Sequence, residues 1–381
     1  MALYELVLAR GRVIDPETGL DAVRDVGLNG GSVAAISEAD LSGAAARVLD
    51  CTGLIVAPGF IDIHSHGMKQ TDSELQACDG VTTHLELEFG CWPVGAFYDA
   101  IEAEGSAINF GCSVGHIPTR VAALEQVELG FSMADPCCML EQKVTGAASH
   151  TRSATDAELQ TLMTLLERGI TEGGIGVGAG IAYTPGSDHR EVLRLQQCCA
   201  RNRVALFIHM RGKHDIGLED FHEVFTNAAV TGCPLHICHI TPMICHVEAA
   251  GPGRAAAELS TIVGMARKLR EVGVDITMEA YPYTAGMTNI DSQIFEGELA
   301  TVQSKFPNVQ MPQAMQWLDT GEFLTEETFF KYREETARTG AKTFSFLRHF
   351  CTKIILKTII LPRQAGDKHR ENSKKGASYC R

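Results

Sequence analysis

No apolar run in the chain approaches the roughly 18 residues that a membrane-crossing helix needs, and the opening Met1-Ala2-Leu3-Tyr4-Glu5 has no basic stretch ahead of an apolar one. Neither a membrane partner nor a secretory leader is expected. Positive charge is scarce, with 33 Lys and Arg against 47 Asp and Glu and a net charge of −14. An acidic surface lacks the clustered cations that nucleic acid requires. No cysteines are spaced Cys-x-x-Cys, although there are 13 in all. Zinc ribbons are therefore unsupported, and reduced thiols in a cytoplasmic protein are the expectation. No Gly-x-Gly-x-x-Gly opens a helix behind the first strand, so a dinucleotide fold is disfavoured.

What is present is ordinary globular composition over 381 residues, 45% hydrophobic and 21% charged. That length accommodates a barrel-sized fold and a smaller unit. Residues 1–57 read as a small β domain. Leu6–Leu8 and Arg12–Ile14 are two short runs, Asp15-Pro16 marks a turn, and Asn29-Gly30-Gly31 between two further runs signals a hairpin. From residue 58 to about 345, short β-rich runs alternate with helical stretches such as Asp156–Arg168 and Ala255–Val272. The candidate strands are Phe60–His64, Thr82–Glu88, Ile108–Val114, Gly174–Val177, Val204–His209, Leu235–His239 and Asp275–Glu279. Alternating units of this kind predict a parallel sheet covered by helices, an α/β barrel of the TIM type. Residues 346–381 break the pattern. Thr352–Arg381 holds eight Lys or Arg and two Asp or Glu, a basic tail expected to be disordered.

The chemistry-bearing residues fall at predicted strand ends. In Phe60-Ile61-Asp62-Ile63-His64-Ser65-His66, alternation puts His64 and His66 on one face, where both can reach one metal. In His84-Leu85-Glu86-Leu87-Glu88 the two carboxylates share a face, and a cation would offset the cost of burying them. Glu88 is nearest the strand's end and is preferred as a ligand over Glu86, with Cys91 as the rival. His209 and His239 close two consecutive apolar strands, while His236, three residues before His239, should face away from it. Beyond the metal, His116 and Arg120 follow the third strand, and Arg120 could grip a carboxylate bidentately. Tyr183, Arg211 and Tyr283 sit in the loops behind later strands and are further substrate contacts.

Taken in order, His64-x-His66, Gly80-Val-Thr-Thr83, Gly115-His116, Gly176-Val-Gly-Ala-Gly-Ile-Ala-Tyr183-x-Pro185-Gly186, His209-Met-Arg211, His239 and Tyr281-Pro-Tyr283-x-Ala-Gly286 resemble the N-acyl-D-amino-acid deacylases of the amidohydrolase superfamily. Leu85-Glu-Leu-Glu88 and Val114-Gly-His-Ile-Pro118 are similar to the D-glutamate deacylase branch. The resemblance runs over roughly residues 1–340. It implies a metal-dependent barrel with one or two Zn2+ ions at strand ends, flanked by a small β-sandwich built from both termini. It also implies hydrolysis of an N-acyl-D-amino acid to a carboxylate and a free D-amino acid, by a protein that can be a homo-oligomer. His209 and His239 correspond to the tight zinc ligands and His64 and His66 to the first-strand pair. D-aminoacylases carry a Cys in Gly-Asn-Cys-Gly on strand two. Here Leu87-Glu-Phe-Gly90 stands there, and Glu88 is the inferred substitute.

One departure concerns catalysis. The family's catalytic Asp lies in Ser-Asp-Gly at the end of strand eight. After Asp291 this chain has only Asp319, in Trp317-Leu-Asp-Thr-Gly321, and Asp367, in the basic tail. The resemblance ends near Thr343, which reads as a truncated or frameshifted barrel lacking that strand. The competing readings are a catalytically impaired metal-binding remnant and another amidohydrolase of dihydroorotase, hydantoinase or isoaspartyl dipeptidase type. Many of the latter use a bridging Lys, and no strand after His66 ends in a well-placed one.

Overall fold

The computed structural model describes residues 2–133, 148–211, 218–240, 253–281, 285–290, 295, 297–305, 310–317, 320–339 and 344–348. Asp319, Tyr283, Asp367 and all of the basic tail beyond Arg348 lie outside them. Contacts divide the chain into two units, Met1–Ile61 with Cys78–Thr83, and Asp62–Ala77 with His84–Arg381.

The first unit is built on β1 (Leu6–Asp15), β2 (Leu20–Asn29), β3 (Ser32–Ser37), β4 (Val48–Asp50) and β5 (Ile55–Val56), in the order β3-β2-β1-β4 with β5 also on β1. The Gly30-Gly31 turn has φ of 57° and 73°, the pair of left-handed residues that a tight hairpin requires. The two short runs expected before Asp15 are one strand instead. Its pairing with β2 slips between Leu8 and Gly11, where Arg10 takes φ of 60°. The bulge is held by Asp25, which is buried and accepts the Arg10 and Leu41 N–H groups at 2.8 and 2.9 Å.

All seven candidate strands recur, each shifted by one to three residues at one or both ends. They are β6 (Phe60–Asp62), β7 (Val81–Cys91), β8 (Asn109–Gly115), β9 (Gly176–Gly180), β10 (Ala205–His209), β11 (Leu235–Ile237) and β12 (Ile276–Met278), and they pair in strict sequence order in one sheet. The ladders from β8 to β12 are parallel. Helices between the strands pack Leu159, Leu162, Met163, Leu166, Val192 and Leu195 into a core shared with Val114, Val177, Leu206 and Ile237. This alternation of strands and helices places the ends of successive strands side by side. A separate antiparallel sheet, β13 (Ala285–Asn289), β14 (Met315–Trp317) and β15 (Phe344–Arg348), has the order β13-β15-β14. No helix among the described residues is long and apolar enough to cross a membrane.

Local signals fix the helices. The helix Asp156–Thr171 opens on a reciprocal capping box, with Thr155 Oγ1 accepting from Glu158 N and Glu158 Oε2 accepting from Thr155 N. Thr155→Ala removes one half of that exchange. It is expected to cost about 1 kcal/mol, read as a lower urea midpoint with an unchanged m-value.

Candidate metal centre

Glu88 is the focus. It sits near the end of β7 with its side chain almost wholly buried. Its Oε2 lies 3.0 Å from His64 Nε2 and 3.1 Å from His66 Nε2. Its Oε1 lies 2.8 Å from His209 Nδ1 and also contacts His239 Nε2. The rings are packed edge to face or tilted, with centroids 5.0 Å apart for His64 and His66 and 4.5 Å for His209 and His239. The structure therefore brings together all five residues proposed as ligands from the sequence, from four different strand ends. Alternation explains Glu86 as well. Two residues before Glu88 and fully buried, it contacts His66 Nδ1 at 2.6 Å and accepts the Phe89 N–H. Cys91 instead lies buried in the apolar cluster with Trp92, Val94 and Phe97.

The electrostatics follow from three carboxylates near four imidazoles. Burial opposes a charge on His64, but hydrogen bonds to Glu279 and Glu88 outweigh it and push the pKa up to about 10. Burial opposes charge on His66 too, and Glu86 and Glu88 overcome it and hold the group well above its usual range. Burial alone would raise the Glu88 carboxyl, yet His239, His209 and His64 draw it well below the ordinary carboxylate range. His209 shifts downward, through burial and the neighbouring His239. Burial and the surrounding carboxylates push the Cys238 thiol well above its usual range. The buried negative charge thus favours positive charge at its centre.

A divalent cation could do the same. Imidazole nitrogens and a carboxylate converging from separate strands form the donor set that zinc prefers. A His64 nitrogen, a Glu88 oxygen and a His239 nitrogen lie within 4.8 Å of one another. The neighbours also fix tautomers. His64 and His66 each direct Nδ1 to an outer carboxylate, Glu279 and Glu86, and turn Nε2 inward. The residues present fit the metal.

Sequence reasoning gave Glu279 no role and set His236 away from the site. Strict alternation set His236 opposite to His239. The strand β11 ends at Ile237, however, and His239 takes φ of 28°, which breaks the alternation. His236 lies in register between Phe207 and Thr277, so it shares a sheet face with His209. Its Nε2 is 3.5 Å from Glu279 Oε2. The only signal for Glu279 was its place at the end of the seventh strand.

Of the expected substrate contacts, Tyr183 is beside the candidate ligands, its ring 4.9 Å from that of His209. Phe89 meets it edge to face, with centroids 5.3 Å apart, and lies 5.1 Å from the His66 ring. His116 and Arg120 are placed otherwise. Both are fully buried and bound to Glu191, at 2.7 Å from His116 Nε2 and 2.8 Å from Arg120 Nε. The remaining Arg120 nitrogens donate to the carbonyls of Ser149 and Arg152. Arg120 thus does not reach a substrate carboxylate in this structure. Its burial demands an anion, and Glu191 is that anion. Arg211 is likewise forked onto Glu223 at 3.1 and 3.2 Å, with its third nitrogen on the Ser187 carbonyl. Tyr283 lies outside the described residues.

Close approach around β7 requires glycine. A Cβ on Gly178 would stand 2.5 Å from the Leu87 carbonyl and 2.7 Å from that of Glu88. Gly178→Ala is expected to destabilise by about 1–3 kcal/mol through overpacking and to displace Glu88. Chemical denaturation and the metal content of the purified variant would register the two effects.

No family model matches the chain. It is 28% identical over 320 residues to the D-aminoacylase of Alcaligenes xylosoxydans xylosoxydans, covering 75% of this chain and 58% of that protein. It is also 28% identical over 315 residues to the N-acyl-D-glutamate deacylase of the same organism, covering 74% and 58%. The chain thus spans less than two thirds of these relatives. Among solved structures, the N-acyl-D-glutamate deacylase of Bordetella bronchiseptica, complexed with zinc and a phosphonate mimic of the tetrahedral intermediate, superimposes with a TM-score of 0.69 at 20% identity, over 93% of this chain and 73% of that one.

Proposed function

We infer, from a chain homologous to D-aminoacylase and N-acyl-D-glutamate deacylase and carrying the amidohydrolase fold, a zinc-dependent hydrolase that cleaves the amide of N-acyl-D-amino acids. N-acyl-D-glutamate is the first substrate to test. The observation that carries this reading is Glu88 at the convergence of His64, His66, His209 and His239.

Held by His64, His66, Glu88, His209 and His239, a divalent cation would supply polarisation of an amide carbonyl and a lowered pKa of water. The chain's own residues supply the setting. Glu279 and Glu86 hold a proton at Nδ1 of His64 and His66, which leaves both Nε2 atoms facing inward. His66 is the most exposed of the four imidazoles, its side chain 45% accessible, and marks the side from which a substrate arrives. Phe89 and Tyr183 place aromatic surface on that side, beside His66 and His209. The acid–base Asp of the relatives has no counterpart among the described residues, so proton transfer to the leaving amine is not assigned to a side chain.

The assay is release of free D-glutamate from N-acetyl-D-glutamate by the zinc-loaded chain. Release that disappears on chelation and returns with Zn2+ supports the reading. A chain that binds zinc stoichiometrically and releases no D-amino acid from any N-acyl-D-substrate contradicts it as an active deacylase.

A further inference from the structure

Glu279 touches two of the four imidazole-bearing segments at once. One oxygen, Oε1, accepts from His64 Nδ1 and also from the backbone N–H of His239, the latter at 3.2 Å. The other, Oε2, faces His236 Nε2 at 3.5 Å. His236 is itself oriented, since its Nδ1 lies 2.8 Å from Thr277 Oγ1 on the adjacent strand. A line of polar groups therefore runs from Thr277 through His236 and Glu279 to His64 and His239. Thr277 is exposed, the other members are largely buried, and all stand on β6, β11 and β12 or their immediate ends.

His239 needs such support. It is a non-glycine residue at φ of 28°, outside the region that an L side chain adopts readily. Its neighbours reinforce the bend, because Ile240 N–H donates to the Glu279 carbonyl and Glu279 N–H to the Ile237 carbonyl. Both the backbone and the carboxylate of Glu279 thus clamp the segment 237–240. His64 has the complementary requirement. Its Nε2 points at Glu88 only while its Nδ1 has a partner that fixes the ring.

We propose that Glu279, oriented by His236, is the positioning residue that sets His64 and His239 in their ligand poses. This rests on the metal-centre reading above. It adds that the centre is organised from the end of the seventh strand, where Glu279 stands within 4.8 Å of His64 and Cys238.

The test uses the full chain and Co2+ as a spectroscopic probe, with wild type, Glu88→Ala, Glu279→Gln, Glu279→Ala and His236→Gln compared by chelator competition and visible absorption. Glu279→Gln preserves volume, so it remains informative even where Glu279→Ala fails to fold. The expected result is Co2+ affinity weaker by about 10–100-fold for the Glu279 variants, a shifted or weakened visible band, and a smaller loss in His236→Gln. A Glu279→Gln chain whose affinity and band equal those of wild type, while Glu88→Ala binds none, overturns this inference alone. A melting point that falls with both unchanged overturns it equally, because Glu279 is then only structural. Wild type that binds no Co2+ overturns the metal-centre reading itself and this inference with it.

Discussion

Glu88→Ala is expected to leave the chain without bound metal. The carboxylate contacts four imidazoles, and loss of even an outer partner of a metal ligand typically costs about 10–100-fold in affinity. Loss of the common centre should therefore weaken Zn2+ binding by more than about 100-fold. It also leaves His64 and His66 with only their outer carboxylates, Glu279 and Glu86. Removal of one partner from a buried charged pair costs about 3–5 kcal/mol, so the metal-free variant should be less stable too. Metal analysis after gel filtration checks the first effect and urea denaturation the second. Near-stoichiometric zinc in the variant would mean that Glu88 is not a ligand.

Glu191→Ala should be the most damaging change away from the metal. It strands Arg120, whose side chain has no exposure, and leaves His116 without its partner. The expected loss is about 3–5 kcal/mol, visible as a large fall in the denaturation midpoint. The pH dependence has a definite sign. Burial would raise the Glu191 carboxyl, but His116 and Arg120 overcome this and hold it at about 2. A folded-state pKa below the unfolded value means that the contribution is complete above the ordinary Glu pKa of about 4.3. It is then lost as the pH falls toward about 2. Wild type should therefore lose more stability than Glu191→Ala over that window. Parallel acid titrations of the two chains would contradict the assignment.

Much of this architecture was legible because it follows from period and position. Seven apolar runs at regular spacing became seven neighbouring strands, and a His or Glu at the end of a buried run had only the strand mouth to occupy. Glu88 was reached by counting alternate residues along β7. The failures have the same origin. Alternation assumes an extended backbone, and His239 at positive φ departs from it, so His236 was set on the wrong face and Glu279 went unnoticed. Arg120 was read as a substrate clamp because its type and place suited one. Nothing in the sequence announces that Glu191, 71 residues on, buries itself against that guanidinium. Cys91 was a reasonable rival until the Gly90 bend, at φ of 67°, turned it into the apolar cluster.

X-ray absorption at the zinc edge of the metal-loaded chain tests the convergence most directly. The account predicts nitrogen and oxygen scatterers alone at about 2.0–2.1 Å, with several imidazoles among them. A sulfur shell at about 2.3 Å, which only Cys91, Cys238 or another thiol could supply, would contradict it.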